Sequence, residues 1–251
     1  MIFDMHVHLG RHEPYGPYEK IEWVPPTSMF GPKEYIELMD KFGIQKAAIM
    51  STKQTGDLTK VNEEIAQWAR QYPKRFIGCA IMYPGGPNAP DELERLVKLG
   101  IRYLKLHPYA QNYLPYLPFV HPLMERAIKL KIPVVIHSGT PPTSTPLQIA
   151  MLADYFPEAT IVMAHMGISA TWAADARFAA KKHDNIILET SDIPAVRVKT
   201  AYNALGPERI IYGSDLPYSI LEWDVQKIKS LHLPKRDEEM IMWENANKLF
   251  P

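Results

Sequence analysis

The chain holds a single cysteine, Cys79. No intramolecular disulfide can form, and a four-cysteine zinc site is excluded; a reducing compartment fits this usage. Charge of one sign is also missing. Lys plus Arg number 28 and Asp plus Glu number 28, so the basic excess expected of a nucleic-acid or anionic-membrane binder is absent. No apolar run approaches the ~18 residues of a membrane-spanning helix. The opening MIFDMHVHLG has neither a basic first region nor a long apolar one, so no signal peptide is expected and a cytoplasmic location is. Glycine is modest at 13 residues against 23 prolines, which suits short, stiff connections.

What is present is an alternation. Short β-branched runs are read as strands at 2–9, 46–52, 76–83, 103–109, 133–139, 160–167, 185–192 and 210–216. Helical patterns occupy 33–42, 58–71, 91–99, 119–131, 146–156, 169–183, 195–205, 224–231 and 237–250. Strands alternating with helices imply parallel βαβ units. Eight such units in 251 residues favour a closed (β/α)8 TIM barrel over a doubly wound sheet, with 1–251 as one domain. Gly43 and Gly100 stand where helices should stop. The segment 10–31 lacks periodicity but carries Tyr15, Tyr18, Trp23 and Phe30, and is expected to close over a site and shape its specificity.

Polar residues fall where a barrel builds its active site, at the C-terminal ends of strands. His6 and His8 are two apart on the first predicted strand, so both imidazoles face one side. Imidazole suits Zn, Fe, Ni or Cu; two packed rim histidines are the plainer alternative. His137 ends PVVIH and His165 ends IVMAH, each closing an otherwise buried run. Asp215 sits in IIYGSDLP, where it is a site carboxylate or a turn aspartate; Gly213 marks a point of close approach. Lys105 and His107 share a face of the fourth predicted strand. Lys105 is read as an ion-pair partner of Glu189 or another carboxylate, as a base, or as a substrate contact. Glu189 and Ser191 share a face of the seventh. His12, in the long loop, is a substrate candidate. His121, His183 and His232 read as surface or helix-end residues.

Taken in order, IFDMHVHLG, the stretch from Gly100 through LKLHP, PVVIHSG, MAHMG and RIIYGSDLP resemble the amidohydrolase superfamily over nearly the whole chain. The branch resembled is the amidohydrolase-related one that contains the aminocarboxymuconate-semialdehyde-decarboxylase-like enzymes. The resemblance implies one divalent metal, with Zn2+ first and Mn2+, Fe2+ or Co2+ as alternatives. His6, His8, His137 and Asp215 match its ligands. Asp215 and His165 match its proton-handling residues. Some members carry a carboxylated lysine bridging two metals, but this branch generally works with one, so Lys105 is not assigned as a bridge. A ligated water has its pKa lowered towards ≈ 7.

Three functions remain open from the sequence. The first is hydrolysis of a small amide, ester or lactone. The second is non-oxidative decarboxylation of an unsaturated or aromatic acid. The third is a non-catalytic barrel that binds a small molecule, against which the number of inward imidazoles argues. Arg11, His12, Lys105 and His107 are the substrate-binding candidates, and Arg197 is a further cation for a carboxylate. The expected partner is a small-molecule substrate, with no nucleic acid and no membrane. Family members are often dimers, which makes a homodimer the expectation from resemblance.

Overall fold

The computed structural model describes residues 1–11 and 29–250. Eight parallel strands form the barrel wall: β1 (Ile2–Arg11), β3 (Ile44–Ser51), β4 (Phe76–Ile81), β5 (Ile101–Leu106), β6 (Val134–Ile136), β7 (Ile161–Met163), β8 (Ile186–Glu189) and β9 (Ile210–Ile211). A two-residue strand, β2 (Met29–Phe30), pairs antiparallel with Gly10 and Arg11. The rest of the aperiodic segment, His12 and Trp23 included, lies outside the described residues.

Helices alternate with the strands: α1 (Pro32–Phe42), α2 (Thr59–Gln71), α3 (Ala89–Lys98), α4 (His121–Lys129), α5 (Pro146–Tyr155), α6 (Ala170–Lys182), α7 (Ala195–Leu205) and α8 (Leu221–Lys229). The helix expected over 237–250 is a composite: α9 (Lys235–Glu239), a wider π turn over Met240–Glu244, and α10 (Asn245–Lys248). Local chemistry explains several boundaries. Glu34 turns back to accept the Gly31 N–H at 3.1 Å, and Gly43 ends α1 in the left-handed region at φ +73°. No helix among the described residues is long and apolar enough to cross a membrane.

The barrel closes between β1 and the segment after β9. Met5 N–H donates to Tyr212 O at 3.0 Å, Asp215 N–H to His6 O at 2.8 Å and His8 N–H to Leu216 O at 2.7 Å, with Val7 and Leu216 bridging in parallel. Two apolar layers result. Phe3, Met5, Cys79, Tyr103 and Val135 fill the interior, and Trp243 and Phe250 pack against that cluster. Val7, Leu9 and the other outward strand residues pack with the helices.

The predicted strands ran too long at their C-terminal ends. Ladder pairing stops at Leu106, Ile136, Met163, Glu189 and Ile211, so His107, His137, His165 and Asp215 stand just past their strands. Backbone geometry explains the early stop of β7, because His165 (φ +63°) and Met166 (φ +44°) are left-handed and cannot continue a ladder; Asp215 is left-handed as well, at φ +60°. Within β1 the register against β3 shifts between Asp4 and Val7. Before this irregularity the odd residues Phe3 and Met5 face the interior; after it Val7 and Leu9 face the helices. A bulge of this kind re-aims side chains, and here it turns His6 and His8 inward.

Candidate active site

The carboxyl-end rim opens into a cavity of about 820 Å³ lined by His6, His8, Lys105, His107, His137, His165, Asp192 and Asp215 among others. His6 and His8 come from β1, and the closing seam carries Asp215 to them. Asp215 Oδ1 lies 3.3 Å from both His6 Nε2 and His8 Nε2.

The hydrogen bonds fix which ring nitrogens carry protons. His8 Nδ1 lies 2.7 Å from the Ser51 carbonyl, which can only accept. Nδ1 is therefore the N–H, and Nε2 presents its lone pair to the cavity. His6 Nδ1 lies 3.1 Å from Glu189 Oε2, so its Nε2 is likewise a lone-pair nitrogen. Lys105 Nζ sits 2.9 Å from that nitrogen and donates to it. Lys105 thus contacts His6 rather than forming the expected ion pair with Glu189, which holds His6 through the other ring nitrogen. Burial is the main cause lowering the pKa of Lys105, and nearby carboxylates oppose it.

A second chain of bonds runs alongside. Ser191 donates Oγ–H to Glu189 Oε2 at 2.7 Å. With its proton committed, Ser191 Oγ accepts from His165 Nδ1 at 2.8 Å. His165 Nε2 then accepts from His137 Nδ1 at 3.1 Å, and His137 Nε2 accepts from Thr140 Oγ1 at 2.9 Å. Burial, helped by Lys105, holds all four imidazoles far below their usual range, His8 at about 3. They are neutral at physiological pH.

The carboxyl groups move the other way. Burial pushes Asp215 up to about 7 against the pull of Lys105. It pushes Glu189 to about 7 while bonds from Ser191 and His165 pull down. Asp192, more exposed at the cavity rim, is also raised to about 7, by partial desolvation and then by the neighbouring Asp215 carboxylate. A neighbouring carboxylate disfavours ionisation of Asp192.

Three groups of donors lie within 4.8 Å of one another: His6, His8 and Asp215; His6, His165 and Glu189; His165, Asp192 and Asp215. The first fits a divalent cation on chemistry. Three donors converge there, His6 Nε2 becoming available once the Lys105 ammonium withdraws from it, and each imidazole donates its other N–H to a carboxylate or backbone carbonyl, as metal-bound histidines do. His137 is in none of these groups.

A sequence model of the amidohydrolase family, Amidohydro_2, matches residues 3–251. The chain belongs to the amidohydrolase family. No curated protein matches it. Among solved structures it is similar to the 5-carboxyvanillate decarboxylase of Novosphingobium aromaticivorans, complexed with manganese and 4-hydroxy-3-methoxy-5-nitrobenzoic acid. That match has TM-score 0.79 and 17% identity, and covers 100% of this chain and 96% of the other. The 2,6-dihydroxybenzoate decarboxylase from Rhizobium matches at TM-score 0.78 and 19% identity, over 100% and 99% of the two chains. A probable 2-pyrone-4,6-dicarboxylic acid hydrolase from Acinetobacter baumannii, with citric acid bound, matches at 0.76 and 17%, over 99% and 98%. At these identities the likeness supports the amidohydrolase barrel.

Of the residues singled out in the sequence, the structure gathers His6, His8, Lys105, His107, His137, His165 and Asp215 in one cavity. Arg197 does not line it; His12 and the side chain of Arg11 lie outside the described residues. The sequence reading missed Asp4 and Asp192. Asp4 is fully buried and accepts from Ser214 N–H at 2.9 Å, Ser214 Oγ at 2.6 Å and Tyr35 OH at 3.0 Å, tying β1 to the segment that carries Asp215. Its signal was a charge inside an apolar strand, two residues before His6. Asp192 could have been found because Ser-Asp recurs at successive strand ends: Ser191-Asp192 after β8 and Ser214-Asp215 after β9. Both aspartates are left-handed, at φ +50° and +60°, a kind of strain that clusters at functional sites.

Gly213 has a packing reason. A Cβ there would lie 2.1 Å from Glu189 Oε1 and 3.0 Å from His6 Cβ. Gly213→Ala should therefore push Glu189 off His6 and cost about 1–3 kcal/mol of stability. A lowered urea midpoint at unchanged slope checks this; an unchanged midpoint would show that Glu189 has room to move.

Proposed function

We propose that this amidohydrolase-family chain, acting as one domain over 1–251, is a metal-dependent cytoplasmic enzyme that hydrolyses a small amide, ester or lactone. The observation that carries the reading is the pair of imidazoles whose Nδ1–H groups are committed to Glu189 and Ser51, leaving both Nε2 lone pairs beside Asp215 Oδ1. His6, His8 and Asp215 would hold one divalent cation once Lys105 Nζ leaves His6 Nε2, with His137 as a further ligand once its Nε2 leaves Thr140. Zn2+ suits this nitrogen-and-oxygen set first, with Mn2+, Fe2+ or Co2+ as alternatives. A cation bound there supplies Lewis acidity and a water of lowered pKa.

The protein's own groups do the rest. Asp215 accepts the proton of the attacking water at its carboxylate. His165 takes that proton from Asp215 at Nε2, once this nitrogen turns from His137, and passes it to the leaving group, so that Asp215 and both rings end as they began. Glu189 and Ser191 keep His165 and His6 in the required tautomers. A second reading, non-oxidative decarboxylation of an unsaturated or aromatic acid, is favoured by the grouping of Asp192 with Asp215 and His165, because the Asp192 carboxyl, raised to about 7, can carry a proton for delivery to carbon.

The test is elemental analysis of purified protein followed by a panel of lactones, esters, amides and aromatic acids. Hydrolysis places oxygen-18 from labelled water in the product, whereas decarboxylation releases CO₂ and places solvent deuterium on carbon. No bound metal after Zn2+ and Mn2+ have been offered would overturn both readings. Metal binding should also depend on pH in a defined direction. With its pKa raised to about 7, Asp215 must shed a proton to ligate, whereas the imidazoles are already neutral. Affinity should rise as pH increases through about 7, with proton release on binding. A flat profile across that range in calorimetry would show that Asp215 is not the ligand.

A further inference from the structure

We infer that the cavity contains an anion subsite, built from Lys53 and His107, neither of them a proposed metal ligand, so that the substrate carries a carboxylate beyond its reacting group. The inference rests on the hydrolase or decarboxylase reading only for the word substrate; the subsite itself stands on two independent observations.

The first is His107. It is 6% exposed and stacks on His137 with ring centroids 4.1 Å apart. Its Nδ1 accepts the Ala110 backbone N–H at 3.1 Å. A nitrogen that accepts has no proton, so the proton of the neutral ring sits on Nε2. That N–H has no hydrogen-bond partner among the described residues, and the side chain lines the cavity. A largely buried donor facing a cavity without a partner is a place for an acceptor from a ligand.

The second is Lys53. It lines the same cavity from the loop between β3 and α2, is half-buried, and forms no ion pair among the described residues. Its loop is well anchored. Lys53 N–H donates to Ser51 Oγ at 3.0 Å, the Ser51 carbonyl orients His8, and Gln111 Nε2 donates to Gln54 O at 3.0 Å. That last bond joins the loop of Lys53 to the turn that follows His107. Apart from Tyr109 and Tyr218, the remaining ionisable groups lining the cavity belong to the cluster of His6, His8, Lys105, His137, His165, Asp192 and Asp215. Lys53 is therefore a cation with no assigned work there. An N–H donor and an ammonium lining the same cavity can each take one oxygen of a carboxylate.

The probes are isophthalate, benzoate and benzamide, titrated calorimetrically into metal-loaded protein and into chelated protein. In loaded wild type, isophthalate should bind about tenfold or more tighter than benzoate, one carboxylate at the metal and one at the subsite. Lys53→Met should abolish that advantage, Lys53→Arg should restore most of it, and Lys60→Met, on an exposed lysine of α2, should leave it intact. His107→Leu should reduce it as well. In chelated protein benzoate should still bind Lys53→Met several-fold more weakly than wild type, and benzamide should not discriminate. This arm holds even if the metal reading fails, which elemental analysis reports separately. An isophthalate advantage unchanged in Lys53→Met, or none in wild type, would overturn the subsite.

Discussion

His8→Ala is expected to leave the purified protein without stoichiometric metal and to lower kcat/KM by roughly a thousandfold. The prediction follows from the environment of that ring. Its Nδ1 is bonded to a backbone carbonyl, and its Nε2 faces the Asp215 carboxylate. Removing it takes one donor from the cation and little else from the fold. His6→Ala should lose metal equally but also destabilise the protein, because Lys105 and Glu189, both fully or almost fully buried, lose the ring that lies between them. Unpaired buried polar groups cost about 1–3 kcal/mol each. His137→Ala should lose metal too if His137 is a ligand. His8→Ala and His6→Ala therefore separate by thermal shift with chelator present, the first near wild type and the second clearly lower. Stoichiometric metal retained in both His6→Ala and His8→Ala would remove the proposed ligand set.

The order of strands and helices was legible because each unit repeats the same contrast: a short β-branched run, a helix with an apolar stripe, and a proline or glycine at the boundary. The clustered residues could be found for a related reason. A histidine at the end of PVVIH or IVMAH conflicts with its own apolar strand, and such conflicts concentrate at functional sites. What could not be read was geometry created by long-range pairing. The shift within β1 that points His6 and His8 inward depends on β3, and nothing in DMHVH announces it. The seam that brings Asp215 within 3.3 Å of both rings joins residues more than 200 positions apart in sequence. Asp4 was overlooked because its partners Ser214 and Tyr35 lie 210 and 31 positions away. Lys53 was overlooked because a lysine in a loop looks the same whether it faces solvent or a cavity.

Glu189→Gln should show how strongly the supporting residues set the site. Glu189 receives Ser191 N–H at 2.6 Å, Ser191 Oγ–H at 2.7 Å, His165 N–H at 3.3 Å and His6 Nδ1–H at 3.1 Å. Every neighbour is a donor, and a carboxylate offers enough lone pairs for all of them. Glutamine replaces one oxygen with an NH₂ that has nothing here to donate to. One arrangement turns that NH₂ toward Ser191 N–H and strands it; the other turns it toward His6 and Ser191 Oγ. In the second, His6 must flip its tautomer or lose its bond, and its Nε2 ceases to be a lone-pair nitrogen. Because Ser191 Oγ also accepts from His165, reversing that hydroxyl would carry the disturbance to His165 and His137. Metal affinity should fall about 10–100-fold, the usual consequence of losing a ligand's orienting partner, and stability by about 1–3 kcal/mol from the unsatisfied amide. The two effects are read independently, the first by competition with a chelator of known affinity and the second by urea unfolding of the metal-free protein. Wild-type metal affinity in a variant that is still folded would mean that Glu189 is a structural carboxylate with no part in orienting His6.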